Sequence, residues 1–74
     1  MKIDTEKLDL LIADKGMMLK EVSTASGLSE IAFRNIRQGK VNPRLKTLGR
    51  IAKALDVSVH EIIIQEGDKN DMER

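Results

Sequence analysis

Five side chains between positions 30 and 38 are of the types that read the edges of DNA base pairs. At about 100° per residue, a helix through this stretch would display Glu30, Ile31, Arg34, Asn35 and Gln38 on one face. Arginine donates in pairs to guanine, asparagine pairs with adenine, a carboxylate accepts from cytosine, and an apolar side chain touches the thymine methyl group. The alternative is an ordinary solvated helix face, which would be favoured for a lone helix.

Residues 19–37 are predicted to form the helix, tight turn and helix that would position this face. Val22 and Ala25 lie three apart, as expected for the inner face of a first helix. Gly27 accepts a positive φ and stops that helix, and Ser29 is placed to cap the next one. The inner stripe of the second helix would consist of Ala32, Phe33 and Ile36.

Positive charge is concentrated in the middle of the chain, although the net charge of the whole is only +1. Residues 1–28 carry four Lys against five Asp or Glu, and residues 54–74 carry two basic groups against six acidic ones. Residues 29–53 have a net charge of +6, from Glu30 and seven cations: Arg34, Arg37, Lys40, Arg44, Lys46, Arg50 and Lys53. A one-sided basic patch is typical of a protein that binds phosphates.

The segments VSTASGLSEIAFRNIRQGKVNP and TLGRIAKALDVSVHEI resemble the lambda-repressor-like helix-turn-helix proteins, the Cro/phage-repressor (XRE) family. The resemblance runs from about residue 8 to residue 63. Its most specific parts are the G-L-S turn at 27–29, IRQGKVNP at 36–43, and the run from 47 to 58. It implies an all-α, compact five-helix domain that docks its third helix in the major groove of double-stranded DNA.

The chain departs from this family at the start of the second helix, predicted over residues 17–26. Relatives usually have Ser or Thr where this chain has Met18, and often Gln where it has Leu19. That Gln touches a phosphate in relatives, and Leu19 has no group to replace it. Lys20 is the candidate for a substitute phosphate contact, with a merely solvated side chain as the alternative.

A paired departure concerns Ile12 and Arg37. Many relatives have an arginine at the first position and a glutamate at the second, and the two form an ion pair. Replacing both partners together costs little, whereas losing one would strand a charge. Arg37 is therefore expected to be released for phosphate binding, or else to be only solvated.

The resemblance assigns backbone contacts to the loop after the third helix. Asn42 is a natural N-cap, with Pro43 at the first position of a fourth helix over residues 43–55, and Gly49 is expected to permit close helix packing there. The start of that helix would offer free N–H groups to an anion. The predicted phosphate-binding residues are Lys20, Ser29, Arg37, Gln38, Lys40, Asn42 and Arg44.

The two ends of the domain carry their own helix signals. Asp4 is a good N-cap for a first helix that ends at Lys15 and Gly16, with Leu10 on its outer side. Ser58 and Glu61 form a capping box that opens a fifth helix. Val59, Ile62 and Ile63 would face the core, which leaves Ile64 outside as the predicted dimer interface.

Length and composition limit the remaining possibilities. Seventy-four residues make one domain, predicted as 1–65 with a polar, disordered tail over 66–74. The chain has no cysteine and no apolar run near 18 residues, which favours a cytoplasmic protein without disulfides or a membrane span. His60 has no second histidine near it, so neither a metal nor a cofactor is expected.

The sequence bears on three classes of function. The first is a sequence-specific transcriptional regulator, a small repressor that acts as a homodimer. The second is a protein-interaction module such as an antitoxin, whose main partner would be a toxin held by Ile64 and the acidic end of the chain. The third, an enzyme, has no support because the sequence contains no Ser/His/Asp set and no paired carboxylates placed for catalysis.

Overall fold

The computed structural model describes residues 2–64, so the predicted tail lies outside the described part. These residues form four α-helices and one 3-10 helix: α1 (Thr5–Lys15), α2 (Leu19–Ser26), α3 (Glu30–Arg37), α4 (Leu45–Ala54) and the 3-10 helix Val59–Ile62. The all-helical architecture was predicted correctly, but the expected count of five α-helices is not confirmed. None of the described helices is long and apolar enough to cross a bilayer.

The start and end of α1 follow its predicted caps. Asp4 Oδ1 accepts a hydrogen bond from the N–H of Lys7 at 3.0 Å, and Gly16 ends the helix in the left-handed conformation at φ 68°. Leu8 and Ile12 are buried, whereas Leu10 is 66% exposed. This helix was therefore predicted correctly from local signals.

The inner face of α2 differs from the predicted one. Val22 is buried as expected, but Ala25 is exposed and the other inward residues are Ser23 and Ser26. Ser26 Oγ donates to the carbonyl of Val22 at 2.7 Å, and Ser23 Oγ donates to that of Lys20 at 2.9 Å. Because these hydroxyls are satisfied within the helix, the two small serines can be buried without leaving a polar group unpaired.

One hydrophobic core joins the five helical elements of residues 2–64. It consists of Ile3, Leu8, Ile12, Val22, Phe33, Ile36, Leu48, Ile51, Ala52, Leu55, Ile62 and Ile63. Phe33 and Ile36 anchor α3 in this core. The opposite face of α3 is thereby directed outward.

The start of α4 was predicted wrongly. The helix begins at Leu45 after Arg44, which makes no side-chain cap. Asn42 is not the N-cap, because its Oδ1 instead accepts the backbone N–H of Ile3 at 3.1 Å. Pro43 is buried before the helix begins. Gly49 does not mark a close approach of helices, since a β-carbon there would meet nothing within 4 Å.

The two ends of the described chain meet in a short antiparallel pairing that we call the terminal bridge, residues 2–4 with residues 62–64. Ile3 pairs with Ile63, Asp4 N–H donates to the carbonyl of Ile62 at 2.9 Å, and Ile64 N–H donates to that of Lys2 at 2.9 Å. This pairing begins at the end of the 3-10 helix, and Ile63, where the predicted fifth α-helix would continue, is extended instead. The predicted Ser58–Glu61 capping box is nevertheless present.

Candidate nucleic-acid interface

The turn between α2 and α3 has the predicted local geometry. Gly27 adopts φ 75°, in the left-handed region that favours glycine. Ser29 Oγ accepts the N–H of Ala32 at 3.1 Å, which satisfies one of the free donors at the start of α3. These two features fix the direction in which α3 leaves α2.

The outward face of α3 presents the predicted base-reading residues. Glu30 and Arg34 are exposed, Asn35 is half-buried, and Ile31 is 66% exposed. A β-branched apolar side chain gains nothing from such exposure in a free protein. The structure thus brings together a carboxylate, a guanidinium, an amide and an apolar group on one open helix surface.

A cleft of about 130 Å³ lies between the start of α2 and the side of α3. It is lined by Leu19, Lys20, Ser23, Glu30, Phe33, Arg34 and Arg37. Leu19 is 42% exposed at its edge and offers no hydrogen-bonding group. Three cations therefore surround a cleft that adjoins the outward face of α3.

Arg37 is not released, contrary to the prediction. Its Nε donates to Asp9 Oδ1 of α1 at 2.9 Å, so an ion pair again joins α1 to the end of α3. The acidic partner lies three residues, or about one helical turn, before Ile12. An acidic residue at that spacing was the signal that could have predicted the pair. The two side chains are 25% and 48% exposed, so the pair lies at the surface.

The loop over residues 38–44 adjoins α3 and carries further candidates for phosphate binding. Gln38, Lys40 and Arg44 are all exposed. The N–H of Lys40 donates to the carbonyl of Asn35 at 3.0 Å, which folds the loop back against α3. Asn42 differs from the other candidates because its amide oxygen is bound to Ile3.

Ile64 is half-buried rather than left outside, because it belongs to the terminal bridge. It borders a groove that Lys2, Val41 and Asn42 also line. His60 is exposed as predicted, and residues 2–64 contain no group of three or more His, Cys, Asp or Glu that could hold a metal ion.

Comparison with known proteins identifies the same architecture. A family model described as a Cro/C1-type HTH DNA-binding domain matches residues 7–68. The HTH-type transcriptional regulator DdrOP3 of Deinococcus deserti is 29% identical over 58 residues, which cover 78% of this chain. The match covers only 45% of that longer protein.

Two crystal structures resemble this one. The restriction-modification controller protein C.AhdI of Aeromonas hydrophila has a TM-score of 0.74 at 26% identity, over 77% of this chain and 86% of the other. The clp gene regulator ClgR of C. glutamicum has a TM-score of 0.71 at 28% identity, over 76% and 73%.

Proposed function

Because the chain belongs to the family of Cro/C1-type helix-turn-helix DNA-binding domains, we propose that it is a sequence-specific transcriptional regulator. It docks α3 in the major groove of double-stranded DNA and acts as a repressor. The observation that carries this proposal is the outward face of α3, where Ile31 is 66% exposed beside polar and charged groups.

The side chains of that face divide the reading of bases among them. Arg34 donates to guanine, Asn35 pairs with adenine, Glu30 accepts from cytosine, and Ile31 contacts a thymine methyl group. An exposed isoleucine is explained on this assignment, because docking buries it against an apolar group of the DNA. The anchoring of Phe33 and Ile36 in the core keeps the whole face in a fixed orientation.

Residues on both sides of α3 bind the phosphates of the DNA backbone. Lys20 and Ser29 lie on the side of α2, while Gln38, Lys40 and Arg44 lie in the loop that follows α3. Arg37 also binds a phosphate. The hydrogen bond from its Nε to Asp9 already orients its guanidinium. Guanidinium has five donors, so an ion pair through one nitrogen is compatible with a phosphate contact.

The functional unit is a homodimer. A single α3 reads few base pairs, and helix-turn-helix proteins extend their sites by binding two half-sites about 34–36 Å apart. Ile64 is the proposed interface residue, because it combines a half-buried apolar side chain with the groove that Val41, 49% exposed, also lines. A dimer that occupies a promoter represses by excluding other proteins from it.

Selection of bound duplexes from a random library tests the function. We expect enrichment of a two-fold symmetric sequence, since two identical α3 helices would read inverted half-sites. Recovery of no preferred sequence would contradict sequence-specific regulation.

Ile64→Asp tests the dimer. We expect the substitution to abolish dimers in analytical ultracentrifugation and to weaken binding to the symmetric site far more than to a half-site. Leu10→Asp is the matched control, because Leu10 is an apolar residue of α1 that is 66% exposed. Dimers that survive Ile64→Asp but not Leu10→Asp would place the interface on α1.

A further inference from the structure

The loop over residues 38–44 is attached to the rest of the domain at two points. Near its start, the N–H groups of Gly39 and Lys40 donate to the carbonyls of Ile36 and Asn35 at 3.1 and 3.0 Å. Near its end, Asn42 Oδ1 accepts the N–H of Ile3 at 3.1 Å, across 39 positions of sequence. The first attachment is to α3 itself, whereas the second is to the N-terminal end of the described chain.

The donor of the second attachment is rigidly held. The side chain of Ile3 is only 4% exposed and belongs to the core. Its backbone pairs with Ile63, and the neighbouring Asp4 N–H donates to the carbonyl of Ile62. The Asn42 amide oxygen is therefore bonded to a fixed point of the fold.

Asn42 stands between the two cations of the loop. Lys40 lies two residues before it and Arg44 two residues after it, and both are exposed. An amide oxygen is an acceptor, as are the oxygens of a phosphate, so this atom has no attraction for DNA backbone. Its bond to Ile3 instead sets where the backbone that carries both cations lies.

We propose that Asn42 is a positioning residue for phosphate binding. By accepting the N–H of Ile3, it holds Lys40 and Arg44 at the DNA backbone beside α3. The role rests on the proposed DNA-binding function. It also connects the phosphate-binding loop to the terminal bridge, where Ile64 N–H donates to the carbonyl of Lys2.

The salt dependence of DNA binding by the full 74-residue chain separates positioning from direct contact. Each phosphate neutralised by a cation contributes about 0.9 to the slope of log K against log[salt]. Asn42 is uncharged, so a direct hydrogen bond from it to a phosphate would affect affinity without affecting the slope. A positioning residue would change the slope, because its loss displaces the cations.

We expect Asn42→Ala to reduce the magnitude of the slope by about 0.9 for each cation displaced, and each protomer of the bound dimer contributes two, Lys40 and Arg44. Gln38→Ala is the matched control, since it removes another uncharged amide from the same loop and should leave the slope unchanged. An unchanged slope for Asn42→Ala would overturn the positioning role. A wild-type chain that bound no duplex would overturn the proposed function and this role with it.

Hydrogen exchange of the Ile3 amide tests the bond in the free protein, independently of DNA. Asn42→Ala should accelerate exchange at Ile3 to well above the wild-type rate, whereas Asn42→Asp retains an acceptor and should keep that amide protected. Equal protection in the wild type and in Asn42→Ala would show that Asn42 does not hold Ile3, and would overturn the proposal even if DNA binding were confirmed.

Discussion

The helix-turn-helix unit and the terminal bridge are both held by hydrogen bonds, but these bonds span very different lengths of chain. At the start of α3, the Ser29 cap joins residues three apart, and in α2 the hydroxyl of Ser26 reaches back four positions. The terminal bridge joins residues 2–4 to residues 62–64, from opposite ends of the described chain.

The two parts of the proposed interface, the base-reading face of α3 and the phosphate-binding loop over residues 38–44, are therefore held in place by different contacts. The base-reading face depends on short-range caps and on the anchors of α3 in the core. The phosphate-binding loop also depends on Ile3, and through it on the terminal bridge. Substitutions that disrupt the terminal bridge should therefore weaken phosphate binding by the loop more directly than they change the orientation of the base-reading side chains.

The strongest disruption of the terminal bridge is Ile3→Ala. Ile3 is 4% exposed, and removing a buried isoleucine side chain costs about 2–5 kcal/mol of unfolding free energy. Urea denaturation followed by circular dichroism measures this loss. Leu10→Ala is the control, because that side chain is 66% exposed and surface substitutions usually stay within about 0.5 kcal/mol. Equal effects would mean that Ile3 is not part of the core.

Substituting two glycines compares a turn that needs a positive φ with the interior of a helix. Gly27→Ala should destabilise the fold by about 1–2 kcal/mol, because alanine is strained at φ 75°. Gly49→Ala should stabilise it by about 0.5–1 kcal/mol, since Gly49 lies within α4 and has open space around it. Thermal unfolding of both variants shows whether each substitution raises or lowers the stability of the fold. A destabilising Gly49→Ala would indicate that something must approach this helix closely.

The Asp9–Arg37 pair should have the smallest effect. It joins α1 to the end of α3 at the surface, and exposed ion pairs contribute about 0.2–1 kcal/mol. A double-mutant cycle of Asp9→Ala and Arg37→Ala measures the coupling free energy, which should fall as salt screens the charges. Zero coupling at low salt would show that the pair does not tie α3 to α1.

Features governed by neighbouring residues were predictable from the sequence. The Asp4 cap, the Gly16 stop, the Gly27–Ser29 turn and the Ser58 capping box all follow from preferences within a few residues. The outward face of α3 followed from helical periodicity, because its inner stripe is strongly apolar.

Features governed by distant residues were missed when the sequence was read by local patterns. Asn42 fits an N-cap by its position before Pro43, but its side chain instead accepts a hydrogen bond from the backbone N–H of Ile3, 39 positions earlier. Arg37 has no partner at position 12, where the family places one. It pairs instead with Asp9, which lies about one helical turn earlier on α1. In place of the predicted fifth α-helix, the chain forms a 3-10 helix of one turn, because residues 62–64 pair with residues 2–4.

The central claim is that α3 reads bases while its surroundings bind phosphates, and a matched pair of arginines tests it most directly. Binding of Arg34→Ala and Arg44→Ala is measured on the selected site and on single-base variants of it. Arg34→Ala should lose about 1–3 kcal/mol of discrimination at one base pair, whereas Arg44→Ala should weaken binding to all sequences alike. Full discrimination by Arg34→Ala at every position would contradict the assignment of Arg34 to base reading.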